Sequence, residues 1–389
     1  MKKLLFLLVV LTLSAVLVSC DEAVFDRQGL EFYKTDNNEY VVEAGDAKYL
    51  SEIVIPETYL GRPVVEIGVN GFKNCKNLKS ITISKNIKKI GGSAFRGCSS
   101  LGEINLNAIE MDECNILSGN SEYIKVTVNI GAEVRRIPSS FFFNAPIAEV
   151  NFEAGSVCES IGSYAFASCA MLKNVVLPDS ITDIGDFAFE ACTALKSITL
   201  PDSITAIGAS AFEVCTALES IILPDSITDI GDFAFKRCTA LKSITMPKSL
   251  ITLGKSAFER CTALESITMP DSLIIIGDSA FKGCTALTSI ALSDSITDIG
   301  DFAFEGCTEL TSVILPKNLI TLGNSAFENC ALLTDVTIFD DLVEIGDAAF
   351  YMCYSLNTIK YYGTKELWDT IKMGNRWNLG TAVYNITYL

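Results

Sequence analysis

Cys169, Cys192, Cys215, Cys238, Cys261, Cys284, Cys307, Cys330 and Cys353 stand 23 residues apart, and Cys75 and Cys98 keep the same interval. A phenylalanine column keeps the same beat at Phe72 and Phe95 and again from Phe166 to Phe350. A fixed period of this size restricts a chain to a solenoid, a propeller or an array of small units. One unit, residues 192–214, reads C-T-A-L-K-S-I-T-L-P-D-S-I-T-A-I-G-A-S-A-F-E-V. So short a unit cannot bury its own apolar residues, so neighbouring coils must supply the core to one another.

The unit can be read residue by residue. Leu195, Ile198 and Leu200 point inward, and Ser197 and Thr199 point outward, as alternation in a short strand requires. Pro201 ends the strand, and Ile204 and Ile207 form a second apolar pair before Gly208. A helical turn carrying Ala211 and Phe212 follows. Elsewhere the position after the glycine is Asp186, Asp232, Asp278, Asp301, Asp347, Asn324 or Ser163, all good helix N-cap residues. Glycine is expected there to permit a bend. Phe95 and Phe142 are 47 residues apart, two periods plus one, so the phase slips between them. About 13 coils are expected over residues 53–360, with an irregular one at about 107–152. At the strand spacing of about 4.8 Å, they make a spine of roughly 60 Å.

The pattern L-x-x-I-x-L-P-x-x-I-x-x-I-G-x-x-A-F-x-x-C resembles the BspA-type, or Treponema-type, leucine-rich repeat of bacterial surface proteins. The flanks are similar too: 30–65 looks like the family's N-terminal lead-in, and Tyr361 to Trp377 like its closing segment. The resemblance implies an α/β fold, a right-handed solenoid with short strands and one helical turn per coil. Residues 20–52 are expected to tether and cap it at one end, and residues 361–389 to cap it at the other. It also implies a cell-surface or secreted scaffold that binds protein or glycan ligands and serves adhesion.

Residues 1–19 read as a secretory signal. Lys2 and Lys3 precede an apolar run from Leu4 to Val18, and Leu17-Val18-Ser19-Cys20 resembles a bacterial lipobox. Cys20 is therefore the expected lipidation site, with the chain exported and lipid-anchored to the bacterial envelope at its outer surface. The formal charge is −17, and losing Lys2 and Lys3 makes it more negative by two. That argues against nucleic acid as a partner. The chain has no histidine, which removes the commonest general base and a frequent metal ligand. No unique acid–base pair stands outside the repeat, so no enzyme activity, cofactor or metal is expected.

Three columns carry the remaining chemistry. Thirteen cysteines follow Cys20. Stacked coils hold their Cβ atoms about 4.8 Å apart, too far for a disulfide, so they are expected as small core residues. Asp179, Asp202, Asp225, Asp271, Asp294 and Asp340, interrupted by Lys248 and Lys317, are expected as solvated turn residues. The strand face is a small hydroxylated ribbon typified by Lys196, Ser197, Thr199, Lys242, Ser243 and Thr245. It has few aromatics or Arg and no Trp, the residues that anchor tight protein contacts.

Ligand-specific chemistry is expected where repetition fails. Tyr123, Arg135, Arg136, Phe141 and Phe143 are the candidate binding residues of the irregular stretch. Trp368 and Trp377 are expected to seal the last coil rather than to stack on sugars. The expected function is a non-catalytic binding scaffold. Its rivals are a structural envelope spacer and a carbohydrate-capture lipoprotein.

Overall fold

The computed structural model describes residues 28–117, 124–381 and 385–389. The expected signal segment, Cys20 and Tyr123 lie outside the described residues. The chain is a parallel β-solenoid. Its long face is one series of short parallel strands running from Glu52–Val54 to Asn385–Tyr388, in sheets of 11 and four strands. A second series of 11 two-residue strands runs from Arg136–Ile137 to Lys372–Met373. A third side is made of turns. A single apolar core runs the whole length between them.

Within a repeat the inward set is as the alternation demands. Leu195, Ile198, Leu200, Ile204, Ile207, Ala211 and Phe212 are buried, while Ser197 and Thr199 are exposed. From Phe166 to Phe350 the rings stack coil on coil with centroids 5.1–5.5 Å apart and planes within 11° of parallel. Twelve of the thirteen described cysteines are buried, and all thirteen are free thiols. From Cys169 to Cys353 each repeat cysteine donates its S–H to the carbonyl of the previous coil's phenylalanine, as Cys192 does to Phe166 at 3.2 Å. The Phe166 carbonyl also accepts the Cys169 N–H at 3.1 Å, so thiol and amide share one acceptor.

The turn side departs from the sequence reading. No α-helical turn forms there in the described repeats. Backbone bonds alternate instead between the chain's own coil and the next one. Glu190 N–H donates to Phe187 C=O at 3.1 Å, whereas Phe187, Phe189 and Ala191 donate to Ala209, Ala211 and Glu213 of the following coil at 2.7–2.9 Å. The alternation needs left-handed residues at two points per coil, Phe187 at φ 59° and Ala191 at φ 54°. With no helix to cap, the residue after the glycine reaches forward. Asp186 Oδ1 accepts the N–H of Ala209 at 2.7 Å, and Asp232 that of Lys255 at 2.7 Å. The glycine has a different reason as well. A Cβ on Gly208 would lie 2.7 Å from the carbonyl carbon of Gly185, so close approach between coils, not a bend, demands it.

The serine of each Pro-Asp-Ser turn is also structural. Ser226 donates to the Ile204 carbonyl at 2.6 Å, and Ser295, in the equivalent turn, to Leu273 at 2.8 Å, each in the preceding coil. Lys248 and Lys317 do relieve the aspartate column: each Nζ sits 2.9 Å from the carboxylate one coil earlier, Asp225 and Asp294 respectively.

The ends differ from each other. At the N-terminal end Gln28 mimics a strand, donating to Val54 C=O at 2.7 Å and accepting Val54 N–H at 2.8 Å. At the other end the closing segment is itself coiled. Lys372–Met373 extends the second series and Asn385–Tyr388 the first. With this closing turn and the strand at Glu52–Val54 ahead of the first repeat phenylalanine, the solenoid has about 15 turns, against the 13 expected. Trp377 lays its ring edge-on to Phe350 at 6.3 Å, and Trp368 packs at 5.1 Å on Tyr361.

Candidate binding face

The long strand face is an extended surface whose outward side chains are largely free of coil stacking. Lys196, Ser197, Thr199, Lys242, Ser243 and Thr245 all lie on it and all are exposed. Over the regular repeats it is shallow. A groove of about 310 Å³ lies between Ser243–Thr245 and Ser266–Thr268. The threonine column changes to Val176, Ile222 and Ile314 in some coils, and these side chains stand well out in solvent.

The N-terminal coils present different chemistry in the same columns. Register places Thr82, Asn105, Asn129 and Asn151 side by side in four successive strands. The amides are linked: Asn129 Nδ2 donates to Asn105 Oδ1 at 2.8 Å, and Asn151 Nδ2 to Asn129 Oδ1 at 3.1 Å. Asn129 also donates to Glu103 Oε1 at 2.9 Å. The chain of amides ends at Val176, which offers no partner. One coil further, Asn174 Oδ1 accepts the Ser197 hydroxyl at 2.9 Å.

Grooves follow this ladder. One of about 740 Å³ lies between Ala148–Ser156 and Lys173–Ser180. A second, of about 520 Å³, shares Asn151, Phe152 and Glu153 with it and extends to Asn105 and Thr82. A third, of about 440 Å³, continues from Thr82 and Glu153 to Pro56. Their origin is a second phase slip. Phe142 and Phe166 are 24 residues apart, not 23. Five residues, 153–157, join Phe152 at the core's edge to buried Cys158, where three, 178–180, join buried Leu177 and Ile181. The widened loop passes through Gly155 at φ 76° and forms one wall. Phe152 is paired in register with Ile130, so it takes the inward slot at the strand end. It is only half-buried there, and it lines both larger grooves.

The residues singled out from the sequence are not gathered at one place. Arg135 and Arg136 are exposed at the second strand series, and Arg136 reaches the Met111 carbonyl at 3.2 Å. Phe143 is exposed on the turn side, 6.4 Å from Tyr164, which stacks on Phe187 at 4.5 Å. Phe141 is fully buried and presents no surface to a ligand. Its burial has a packing cause. Ile116 N–H donates to Phe141 C=O, the bond that Phe166 makes to Ala188. Ile116 therefore stands in the ring slot and Phe141 in the alanine slot, and the larger residue offsets the smaller. Sequence reasoning misses the asparagine ladder because each Asn lies in a different coil, and only the strand register aligns them. The 24-residue spacing at Phe142–Phe166 and the additional Gly155 are the available signals.

Comparison with known proteins agrees with this architecture. The family model of the BspA type leucine-rich repeat region matches residues 46–158, 159–288 and 252–370. The sequence has no match among curated proteins. Among solved structures, a leucine-rich repeat protein from Bacteroides ovatus is 24% identical over 94% of this chain and 100% of its own, with a TM-score of 0.52. A leucine-rich cell surface protein from Faecalibacterium prausnitzii is 26% identical over 88% of this chain and 96% of its own, at a TM-score of 0.44. The pneumococcal vaccine antigen PcpA is 18% identical over 92% of this chain and 96% of its own, at 0.49. With repeats, strand ladders and family model covering the same residues, the chain belongs to the BspA-type leucine-rich repeat family.

Proposed function

We propose that this protein is a non-catalytic binding scaffold of the bacterial cell surface, carried there by the N-terminal signal and held through lipid on Cys20. Its ligand is a protein or glycan that contacts the long strand face. The observation that carries this reading is the break in the face's own pattern. Coils that merely stacked could all wear the serine and threonine ribbon, yet the strands at 103–106, 126–130 and 147–152 wear amides and carboxylates beside open grooves. A few placed polar groups beside apolar surface in a concave site are what ligand recognition uses. The monotonous ribbon beyond them suits a spacer or weak repeated contacts that sum by avidity.

The test is a binding screen of purified residues 21–389 against immobilised matrix proteins and a glycan array. At least one class should bind and be lost when Asn105, Asn129 and Asn151 are replaced together by threonine. Silence on every surface would overturn the binding reading and leave a spacer.

A further inference from the structure

We propose that the grooves between Thr82 and Ser180 hold a linear, neutral oligosaccharide lying along the solenoid axis, across the strands. This rests on the binding-scaffold reading and names its ligand class. Three features converge. The first is the amide ladder. Neighbouring strands are about 4.8 Å apart, close to the length of one pyranose unit in an extended chain. Asn105, Asn129 and Asn151 therefore offer one amide per coil, at the repeat of such a ligand. Asn129 uses both N–H groups on Glu103 and Asn105, so towards a ligand it offers its oxygen, while Asn105 and Asn151 keep an N–H to donate and an oxygen to accept, as a hydroxyl can. Asparagine ladders can also simply stabilise in-register strands. The solenoid does not need one, since Val176, Thr199 and Ile222 continue the same column and stack without it.

The second feature is charge. The largest groove is lined by Glu149, Glu153 and Asp179 against the single cation Lys173. Carboxylates accept from hydroxyls and repel anions, so uronic, sialylated and sulfated chains are disfavoured. The third is Phe152, half-buried and lining two grooves. A flat apolar face beside acceptors matches the alternation of C–H face and hydroxyl edge on a sugar. A basic peptide would also meet the carboxylates, and its backbone can bond amides, but same-facing groups of an extended chain recur about every 6.6 Å, out of step with a ladder of about 4.8 Å.

The experiment uses residues 21–389 and calorimetric titration with neutral hexasaccharides: glucans of β-1,3 and β-1,4 linkage, xylan, mannan and chitin oligomers. A lysine-rich peptide and a sulfated hexasaccharide are run beside them. At least one neutral hexasaccharide should bind, with affinity changed less than about twofold between low and high salt, because no charge pair is formed. Its disaccharide should bind at least about tenfold more weakly, having lost contacts along the ladder. Asn151→Ala and Phe152→Leu should each weaken binding at least about tenfold. Phe152→Leu puts back the residue type that Leu177 supplies in the next coil, so folding is kept. Arg135→Ala, on the other strand series, should change nothing. The proposal is overturned if no neutral chain binds, if binding vanishes with salt, or if both groove variants bind like the parent. Binding of a matrix protein with no neutral sugar bound would sink this inference alone. Silence towards every ligand would sink the scaffold reading as well.

Discussion

Replacing Phe235 by alanine removes a fully buried ring whose neighbours, Phe212 and Phe258, lie parallel at 5.4 and 5.3 Å. Truncating a buried phenylalanine costs about 3–5 kcal/mol. A long repeat array is not one two-state unit, so a single melting midpoint is the wrong readout. Amide exchange is the right one, because Phe212, Phe235 and Phe258 each donate their N–H to an alanine of the next coil at 2.8 Å. The loss corresponds to exchange faster by roughly a hundredfold to a few thousandfold at Phe235, since about 1.4 kcal/mol is tenfold. The effect should fade within a coil or two and leave Phe327 nearly unchanged. A cycle of leucine substitutions sharpens the point. Phe235 and Phe258 touch and should show a coupling of about 0.5–1.5 kcal/mol. Phe212 and Phe258 are separated by a coil and should be additive to within about 0.5 kcal/mol. Equal coupling for both pairs, or equal acceleration at Phe327, would refute nearest-neighbour stacking as the source of stability.

Burial pushes the repeat thiols up, to about 12 for Cys215 and Cys284. The folded protein should therefore resist iodoacetamide at mildly alkaline pH, and all thirteen described cysteines should be alkylated after denaturation without reductant. Disulfide-linked peptides in the digest would contradict this. The Asp225–Lys248 pair supplies a pH test. The hydrogen bond from Lys248 holds the Asp225 carboxyl below its ordinary value, and Asp225 raises Lys248. The aspartate contribution is present above the unfolded value of about 3.9 and is lost as pH falls through the folded one; the lysine contribution is present below about 10.4 and is lost as pH rises beyond the folded one. The melting difference between the parent and Lys248→Met should be flat between those limits, close at both ends and shrink with salt. A difference unchanged at low pH would exclude the pair as its cause.

Much of the fold was legible because a repeat states each core position many times over. Leu195, Ile198, Ile204, Ile207 and Phe212 could be placed inward from one unit alone. The turn side was not legible, because Asp186 looks the same whether it caps a helix of its own coil or accepts an N–H from the next. Gly208 likewise reads as a bend until the neighbouring backbone is seen 2.7 Å from its absent Cβ. The site was the least legible part. Phe141 is conspicuous among three successive phenylalanines, yet it fills the volume that Ile116 leaves. Asn105, Asn129 and Asn151 are inconspicuous singly and become a feature only when register brings them together.

The ring column carries an evolutionary consequence. From Phe166 to Phe350 every coil meets its neighbours through the same slots, with ring contacts such as the 5.3 Å of Phe235–Phe258 and Phe281–Phe304. Excising or copying one unit rejoins equivalent surfaces, so unequal recombination within this tract changes length in steps of about 4.8 Å with no core to redesign. The grooves reach no further into that tract than Ser180, in its first coil, so units gained or lost beyond it leave them intact. Reach beyond the grooves is thus a heritable, stepwise variable, separable from whatever the grooves recognise.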